Sequence, residues 1–359
     1  MSRTRTAALV SAGIAAAAVT GGVVGNLVLR RRRERPTVSL GLGDLPPGYL
    51  GPVCSFDGTE LAVRAAGDPS MPALLFVHGF SLDMTTWHEQ WTDLASDFRC
   101  VLMDLRSHGG SSSASSGDVS LPAMARDVAA VMDAILPDGP VILIGHSMGA
   151  MAILALAEAR AELFGSRVAG VALIGAASAD LLRGAMGSVT ELLRPRLGTF
   201  RVAAQRVDRL RKAVLASPAD LSGAVARLTQ FGPDAPPEVV AHVVALAGRA
   251  RSHVWTDGLA GLMEMDLRGA VGHVSVPALV VVGEHDRVTP PAAAVELAGE
   301  LPLGALAVLE GAGHMAMLER PRELNERLRA FAREVSGGPA RKKSAPRRRA
   351  AAGGEETPT

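Results

Sequence analysis

The sequence predicts an α/β fold in which a mostly parallel, doubly wound sheet carries a helical lid insertion. Short, β-branched apolar runs, typical of buried strands, alternate with segments that have the apolar spacing of helices. Polar, glycine-containing turns follow these runs, and such sheets bind their ligands at the carboxyl ends of the strands. The 359 residues are enough for one such domain with extensions.

The chain begins with an apolar stretch, residues 6–29, that contains no charged residue. It is longer than the roughly 20 residues that cross a bilayer. Arginines flank it on both sides, and the larger cluster, at residues 30–35, follows it. By the positive-inside bias we expect residues 1–35 to form a single-pass transmembrane anchor, with the domain on the cytoplasmic side. A cleaved signal peptide and an apolar helix docked on the domain are the alternatives.

A proline- and glycine-rich linker is predicted for residues 36–52, and the first part of the core for residues 53–177. The Asp57-Gly58 pair indicates a hairpin turn between the first two strands. Residues 273–335 supply the rest of the core. The predicted strands are residues 53–56, 61–65, 73–77, 100–103, 141–144, 171–174, 277–282 and 306–309.

The alternation of strands and helices stops between the two parts of the core. Residues 178–272 contain helical runs, broken by proline and glycine, but no convincing strand. An insertion that follows a strand ending at the ligand edge would lie over that edge. We therefore expect a helical lid, with ordinary peripheral helices as the alternative.

Composition argues against several classes of protein. The formal net charge of +1 points to no particular partner. The two cysteines, Cys54 and Cys100, have no metal-type spacing and make no disulfide scaffold. Residues 336–359 are rich in glycine, proline, alanine and arginine and are expected to be a disordered basic tail. Because this tail lacks aromatic residues that stack on bases, nucleic-acid binding is not predicted.

The motif at residues 145–149, Gly-His-Ser-Met-Gly, stands between a predicted strand and a helical run. This is the context of a nucleophile elbow, a strained turn that exposes the serine hydroxyl. Gly145 and Gly149 lie where a Cβ would collide with neighbouring chain, and the helix that follows directs its N–H groups towards Ser147. A glycine-rich turn with an incidental serine is the alternative.

A serine hydroxyl is a weak nucleophile and needs a base, for which histidine has a suitable pKa. His314 lies in a glycine-rich loop after the last predicted strand and is the candidate. His146 lies inside the elbow, and its side chain is expected to point away from the nucleophile. His78 and His108 occur in tight turns and are interpreted as structural, while His285 is expected to face solvent.

Taken together, these motifs resemble the α/β-hydrolase fold superfamily over residues 48–335, in the order typical of that family. The elbow serine separates the chain from the epoxide hydrolases and haloalkane dehalogenases of this fold, which carry aspartate there. Many relatives also have glycine where this chain has Ser107. The residues that carry the resemblance are His78-Gly79-Phe80, Asp104–Gly109, Gly145–Gly149, Gly283–Pro290 and Gly311–Met315.

The resemblance implies roles for further residues. Asp286 would be the acid that orients His314, with Glu284 nearby and Asp180 after another strand as the other candidates. The backbone N–H groups of Phe80 and Met148 would form the oxyanion hole, in turns that Gly79 and Gly149 permit.

The branch that the chain resembles contains serine esterases and lipases, carboxylesterases and cofactor-free haloperoxidases. This implies a carboxylic ester hydrolase that uses Ser147, His314 and Asp286 through an acyl-enzyme, without metal or cofactor. With the predicted anchor, it would be membrane-tethered and act on small-molecule, lipophilic acyl esters. The alternatives are the same triad used on thioesters, lactones, C–C bonds or in perhydrolysis, and a non-catalytic receptor or scaffold.

Overall fold

An eight-stranded sheet forms the centre of the computed structural model, which describes residues 41–179 and 221–337. The strands are β1 Gly48–Cys54, β2 Glu60–Ala66, β3 Ala73–Val77, β4 Arg99–Met103, β5 Val141–His146, β6 Val168–Ile174, β7 Ala278–Gly283 and β8 Gly304–Leu309. Their spatial order is β1-β2-β4-β3-β5-β6-β7-β8. Strands β3 to β8 are parallel, whereas β2 is antiparallel to both of its neighbours. The predicted fold class is confirmed.

Helices cover both faces of the sheet because the parallel strands are apolar on both sides; every residue of β5 and β7 is buried. The described α-helices are α1 His88–Leu94, α2 Leu121–Ile135, α3 Met148–Ala159, α4 Leu221–Gln230, α5 Pro237–Arg249, α6 Leu259–Glu264, α7 Arg268–Val271, α8 Pro291–Glu300, α9 Ala316–Glu319 and α10 Pro321–Val335. One core layer joins the sheet to α2, α3 and α8, and the other joins it to α1, α5 and α10.

A buried ion-pair network connects the β1–β2 hairpin to α2. The Arg106 guanidinium, which is fully buried, donates two hydrogen bonds of 2.7 Å to the Asp127 carboxylate. It also donates to Asp57, in the hairpin turn, at 3.0 Å. Ser55, at the start of the same turn, donates to Asp127 at 2.5 Å. Each buried charge therefore has an opposite charge and hydrogen bonds, as burial requires.

The first strand starts earlier than the sequence predicts. β1 begins at Gly48 rather than at Val53, so the end of the predicted linker, residues 36–52, belongs to the sheet. The sequence does not predict this part of the strand because it contains Gly51 and Pro52, which are uncommon within strands. Both are tolerated here because β1 lies at the edge of the sheet and its pairing is irregular between Tyr49 and Pro52.

The prediction of a single-pass membrane localisation, with the domain on the cytoplasmic side, is wrong. Within residues 41–179 and 221–337, no helix has the length and apolar character that would span a bilayer. The longest helices described there, α2 and α10, have 15 residues each, and a span takes about 20. The predicted anchor, residues 1–35 with its span at 6–29, lies outside the described residues.

The predicted lid, residues 178–272, is described only in part. Residues 221–272 contain α4 to α7 and a π-helical turn, Val254–Gly258. The helical runs predicted near residues 189–193 and 202–215 lie outside the described residues, as do residues 338–359 of the predicted tail.

Candidate active site

Ser147 lies in a strained turn between β5 and α3. Its backbone has φ 50° and ψ −118°, a conformation that side-chain-bearing residues rarely adopt. The turn is anchored by a hydrogen bond of 2.8 Å from the Ser147 N–H to the carbonyl oxygen of Ile174 at the end of β6. The strand, turn and helix predicted around this motif are confirmed.

Two glycines allow this turn to pack closely. A Cβ on Gly145 would lie 2.6 Å from the backbone of Ala150, and one on Gly149 would overlap the carbonyl oxygens of Val77 and His78. A side chain at either glycine would therefore collide with neighbouring chain, as expected from the sequence. These close approaches show that α3 begins in direct contact with the end of β3.

The turn after β3 lies directly against the serine turn. A Cβ on Gly79 would be 3.2 Å from the Ser147 Cβ and 2.6 Å from the His146 Nδ1. Among the described residues, the backbone N–H groups of Phe80 and Met148 have no hydrogen-bond partner. Two unpaired donors thus flank the serine.

His314 and Asp286 meet at the carboxyl ends of β7 and β8. The His314 Nδ1 lies 2.8 Å from the Asp286 Oδ2, and both side chains are buried. The other carboxylate oxygen accepts from the backbone N–H groups of Val288 and Thr289, at 2.8 and 2.9 Å. Burial by itself raises the pKa of Asp286, but the His314 charge and the hydrogen bonds from His314 and Thr289 outweigh it and hold that pKa below its usual range.

The His314 ring reaches the residues that surround Ser147. A Cβ on Gly175, the residue after the hydrogen-bond partner of Ser147, would lie 3.1 Å from the imidazole. The ring is also 4.8 Å, between centroids, from that of His146. The structure therefore places the His314–Asp286 pair against residues that flank Ser147, although β7 and β8 follow the elbow by more than a hundred residues.

His146 supports the His314 backbone. Its Nε2 donates to the His314 carbonyl oxygen at 3.0 Å. Burial lowers the pKa of His146 to about 3, so the ring is neutral near pH 7. The neutral His146 ring uses one nitrogen for this contact, so it supports the His314 backbone and is not the candidate base.

His78 and His108 link the loops that follow β3 and β4. The Leu105 N–H donates to the His78 Nε2 at 3.0 Å, and the Ser81 N–H donates to the His108 Nε2 at 3.3 Å. Burial lowers their pKa values to about 4 and about 3. These contacts agree with the structural interpretation of both residues.

The backbone of Ser107 accounts for the glycine that the family resemblance leads us to expect at this position. Ser107 is buried with φ 66°, a left-handed conformation that favours glycine. Of the other candidates, His285 and Glu284 are half exposed at the surface, as expected for His285. Asp180 lies outside the described residues. No cluster of three or more His, Cys, Asp or Glu side chains suited to a metal occurs in residues 41–179 and 221–337.

Several supporting residues are missed by motif analysis. Thr289 donates from its hydroxyl to the Asp286 Oδ2 at 2.8 Å, and the carbonyl oxygen of Gln230 accepts from the His314 N–H at 2.7 Å. Glu319 accepts from the Gly313 N–H at 2.9 Å. Only Glu319 is marked in the sequence, as the first charged residue after the apolar run Met315–Leu318.

Comparison with known proteins agrees with this geometry. The sequence profile described as "alpha/beta hydrolase fold" matches residues 72–321. The non-heme chloroperoxidase of Streptomyces lividans is 30% identical over 79% of this chain and 99% of that protein. The thermophilic esterase of Thermogutta terrifontis superposes with a TM-score of 0.65 at 25% identity, covering 80% of this chain and 98% of the esterase.

A third relative, the protein phosphatase methylesterase 1 of Rattus norvegicus, is 36% identical over 138 residues, which cover 36% of this chain. The match spans only 34% of that methylesterase. With the family profile covering most of the chain, the protein belongs to the alpha/beta hydrolase fold family. Two of these three relatives are esterases and the third is a chloroperoxidase.

Proposed function

We propose that the protein is a serine hydrolase that cleaves carboxylic esters of small molecules. Ser147 is the nucleophile, His314 the base and Asp286 the acid that orients it. The contact of 2.8 Å between the His314 Nδ1 and the Asp286 carboxylate carries this proposal. It occupies one imidazole nitrogen and leaves Nε2 for the serine hydroxyl.

The proposed reaction has two steps. The Ser147 Oγ attacks the ester carbonyl while His314 takes its proton, and His314 then protonates the departing alcohol. Water attacks the resulting acyl-enzyme with His314 again as base, which releases the acid and restores the serine. The N–H groups of Phe80 and Met148 stabilise the oxyanion in each step, because among the described residues they have no other partner.

We further propose that the segment 221–272 covers this site. Two observations support a lid. The Trp255 ring packs edge-on against the Phe80 ring, with centroids 4.9 Å apart. Gln230, at the end of α4, accepts a hydrogen bond from the His314 backbone. The segment thus contacts both the turn after β3, which carries Phe80, and the turn after β8, which carries His314 and is called the histidine turn.

A perhydrolase activity of the same triad is the second candidate, and the similarity to a chloroperoxidase favours it. In that reaction hydrogen peroxide replaces water as the attacker of the acyl-enzyme. The products are a peracid and the free serine, so the first step is unchanged.

Labelling with a fluorophosphonate probe tests the nucleophile. We expect the probe to label the wild type and not Ser147→Ala. On an ester substrate, Ser147→Ala should also lose about 10⁴-fold or more in kcat. Ser115→Ala, an exposed serine in the loop before α2, is the control and should label like the wild type. Equal labelling of Ser147→Ala and the wild type would refute the assignment. A panel of p-nitrophenyl esters from acetate to dodecanoate, with and without peroxide, separates the two candidates and gives the acyl preference.

A further inference from the structure

Glu319 is a buried carboxylate beside the candidate site. It ends the short helix α9 and is 6% exposed. Its Oε1 accepts from the Gly313 N–H at 2.9 Å, and its Oε2 accepts from the Gly232 N–H at 2.7 Å. Each oxygen therefore binds a different segment of the chain.

The two segments that Glu319 joins are the histidine turn and the part of the proposed lid that directly follows α4. Gly313 directly precedes His314, and Gly232 comes two residues after Gln230, whose carbonyl oxygen accepts from the His314 N–H at 2.7 Å. Their backbones touch, since a Cβ on Gly313 would lie 2.5 Å from the Gly232 nitrogen. The carboxylate thus bonds to both backbones where they touch.

The surroundings of Glu319 disfavour its charged form. Burial raises the pKa of Glu319, although hydrogen bonds from Gly232, Gly313 and Met315 and the charge of Arg320 act against that shift. Among the described residues, no lysine, arginine or histidine forms an ion pair with the carboxylate. An ionised group kept in such surroundings stabilises the protein less than an apolar residue that fills the same space.

We propose that Glu319 is a positioning residue for the His314 base. It fixes the histidine turn against the residues that follow α4 in the 221–272 segment, so that the imidazole stays between Asp286 and Ser147. This inference rests on the proposed function, because it assumes that His314 is the base. It adds a dependence of catalysis on a contact with the lid segment, which the triad alone does not require.

Glu319→Gln isolates this role with almost no change in shape. The amide oxygen still accepts from one backbone N–H, but the NH₂ group faces the other N–H and cannot accept from it. The turn then keeps its fold and loses one of its two fixed contacts. Glu323→Gln, a half-exposed glutamate in α10 whose partner is Arg327, is the matched control.

The experiment measures turnover per competent site. A fluorophosphonate titration counts reactive serines, and p-nitrophenyl butyrate gives kcat per titrated site and KM. We expect Glu319→Gln to lose about 10- to 100-fold in kcat per site, because small misplacements of a catalytic group cost this much. KM should change less than threefold, and Glu323→Gln should stay within twofold of the wild type.

Hydrogen exchange measured by mass spectrometry tests the contact of Glu319 with Gly232 and Gly313 without any ester substrate. In Glu319→Gln, peptides covering residues 230–232 and 311–315 are expected to exchange at least tenfold faster, while those covering residues 145–150 are unchanged. If Glu319→Gln gives no cooperative unfolding transition, Glu319→Asp replaces it with the same readouts, since it keeps the charge but shortens the reach.

Two results would overturn the proposal. One is fewer titrated sites with unchanged turnover at each, which indicates a purely structural glutamate. The other is wild-type turnover per site with faster exchange in the histidine turn. A wild type that the probe does not label contradicts the proposed function itself, and the exchange data then still show whether Glu319 holds the turn.

Discussion

The turns that carry Ser147 and His314 are built in different ways. The serine turn takes its shape mainly from residues 145–149, a strained backbone between two glycines that permit close packing, and one backbone hydrogen bond to Ile174 anchors it. The histidine turn is held from outside, by the carbonyl of Gln230, the ring of His146 and the carboxylate of Glu319. One half of the site is thus encoded in five consecutive residues, and the other half by tertiary contacts.

This difference has a physical basis. A left-handed, strained residue persists only where the surrounding structure over-determines it, and a strand and helix on either side do so. The histidine turn has no long helix directly after it, since α9 has four residues. Its position must therefore come from side chains and backbone elsewhere.

Replacing Asp286 with asparagine should give the largest effect on the histidine turn. The side-chain amide cannot stabilise the protonated imidazole and favours the wrong tautomer of His314, so we expect kcat to fall about 10³- to 10⁴-fold with little change in KM. Steady-state kinetics on a p-nitrophenyl ester measure this. Asp138→Asn, at an exposed position between α2 and β5, should have no effect. A loss below tenfold would mean that the turn orients His314 without the carboxylate.

Gly149→Ala tests the local construction of the serine turn. The new Cβ would overlap the carbonyl oxygens of Val77 and His78, so we expect a loss of about 1–3 kcal/mol in the free energy of unfolding. Gly299→Ala in α8 is the matched control, because its Cβ would meet no atom within 4 Å; it should stabilise by up to about 1 kcal/mol. Urea unfolding of both variants measures the difference. Equal stabilities would show that the turn tolerates a side chain there.

A smaller effect concerns the pH dependence of stability. The pKa of Asp286 lies below its usual value in the folded protein, so its stabilising contribution is present above the unfolded pKa of about 3.8. It is lost as the pH falls through the folded pKa. The stability difference between the wild type and Asp286→Asn should therefore be largest above pH 5 and shrink towards pH 2, measured by urea unfolding. A constant difference would assign the stabilisation to packing rather than charge.

The sequence predicts the parallel sheet and the serine turn well because each depends on short, continuous stretches of residues. Apolar runs such as residues 73–77 and 278–282 define buried strands, and the 145–149 motif defines its own geometry. The supports of His314 escape prediction because Gln230 and His146 act through contacts across 84 and 168 residues of sequence. Neither residue type nor spacing reveals such contacts. The wrong prediction of a membrane localisation rested on the apolar residues 6–29 and their arginine flanks.

The buried Arg106 network sets a limit on how far this protein can be shortened. A protein cut to the family-matched residues 72–321 would lose Asp57 and Ser55 and leave one long edge of β4 without its antiparallel neighbour. Arg106 would keep its ion pair with Asp127 but lose the one with Asp57. Water would then reach the guanidinium, which the hairpin covers in the intact protein. The smallest unit that keeps this network therefore includes the β1–β2 hairpin, which belongs to the domain although it lies before the family-matched residues.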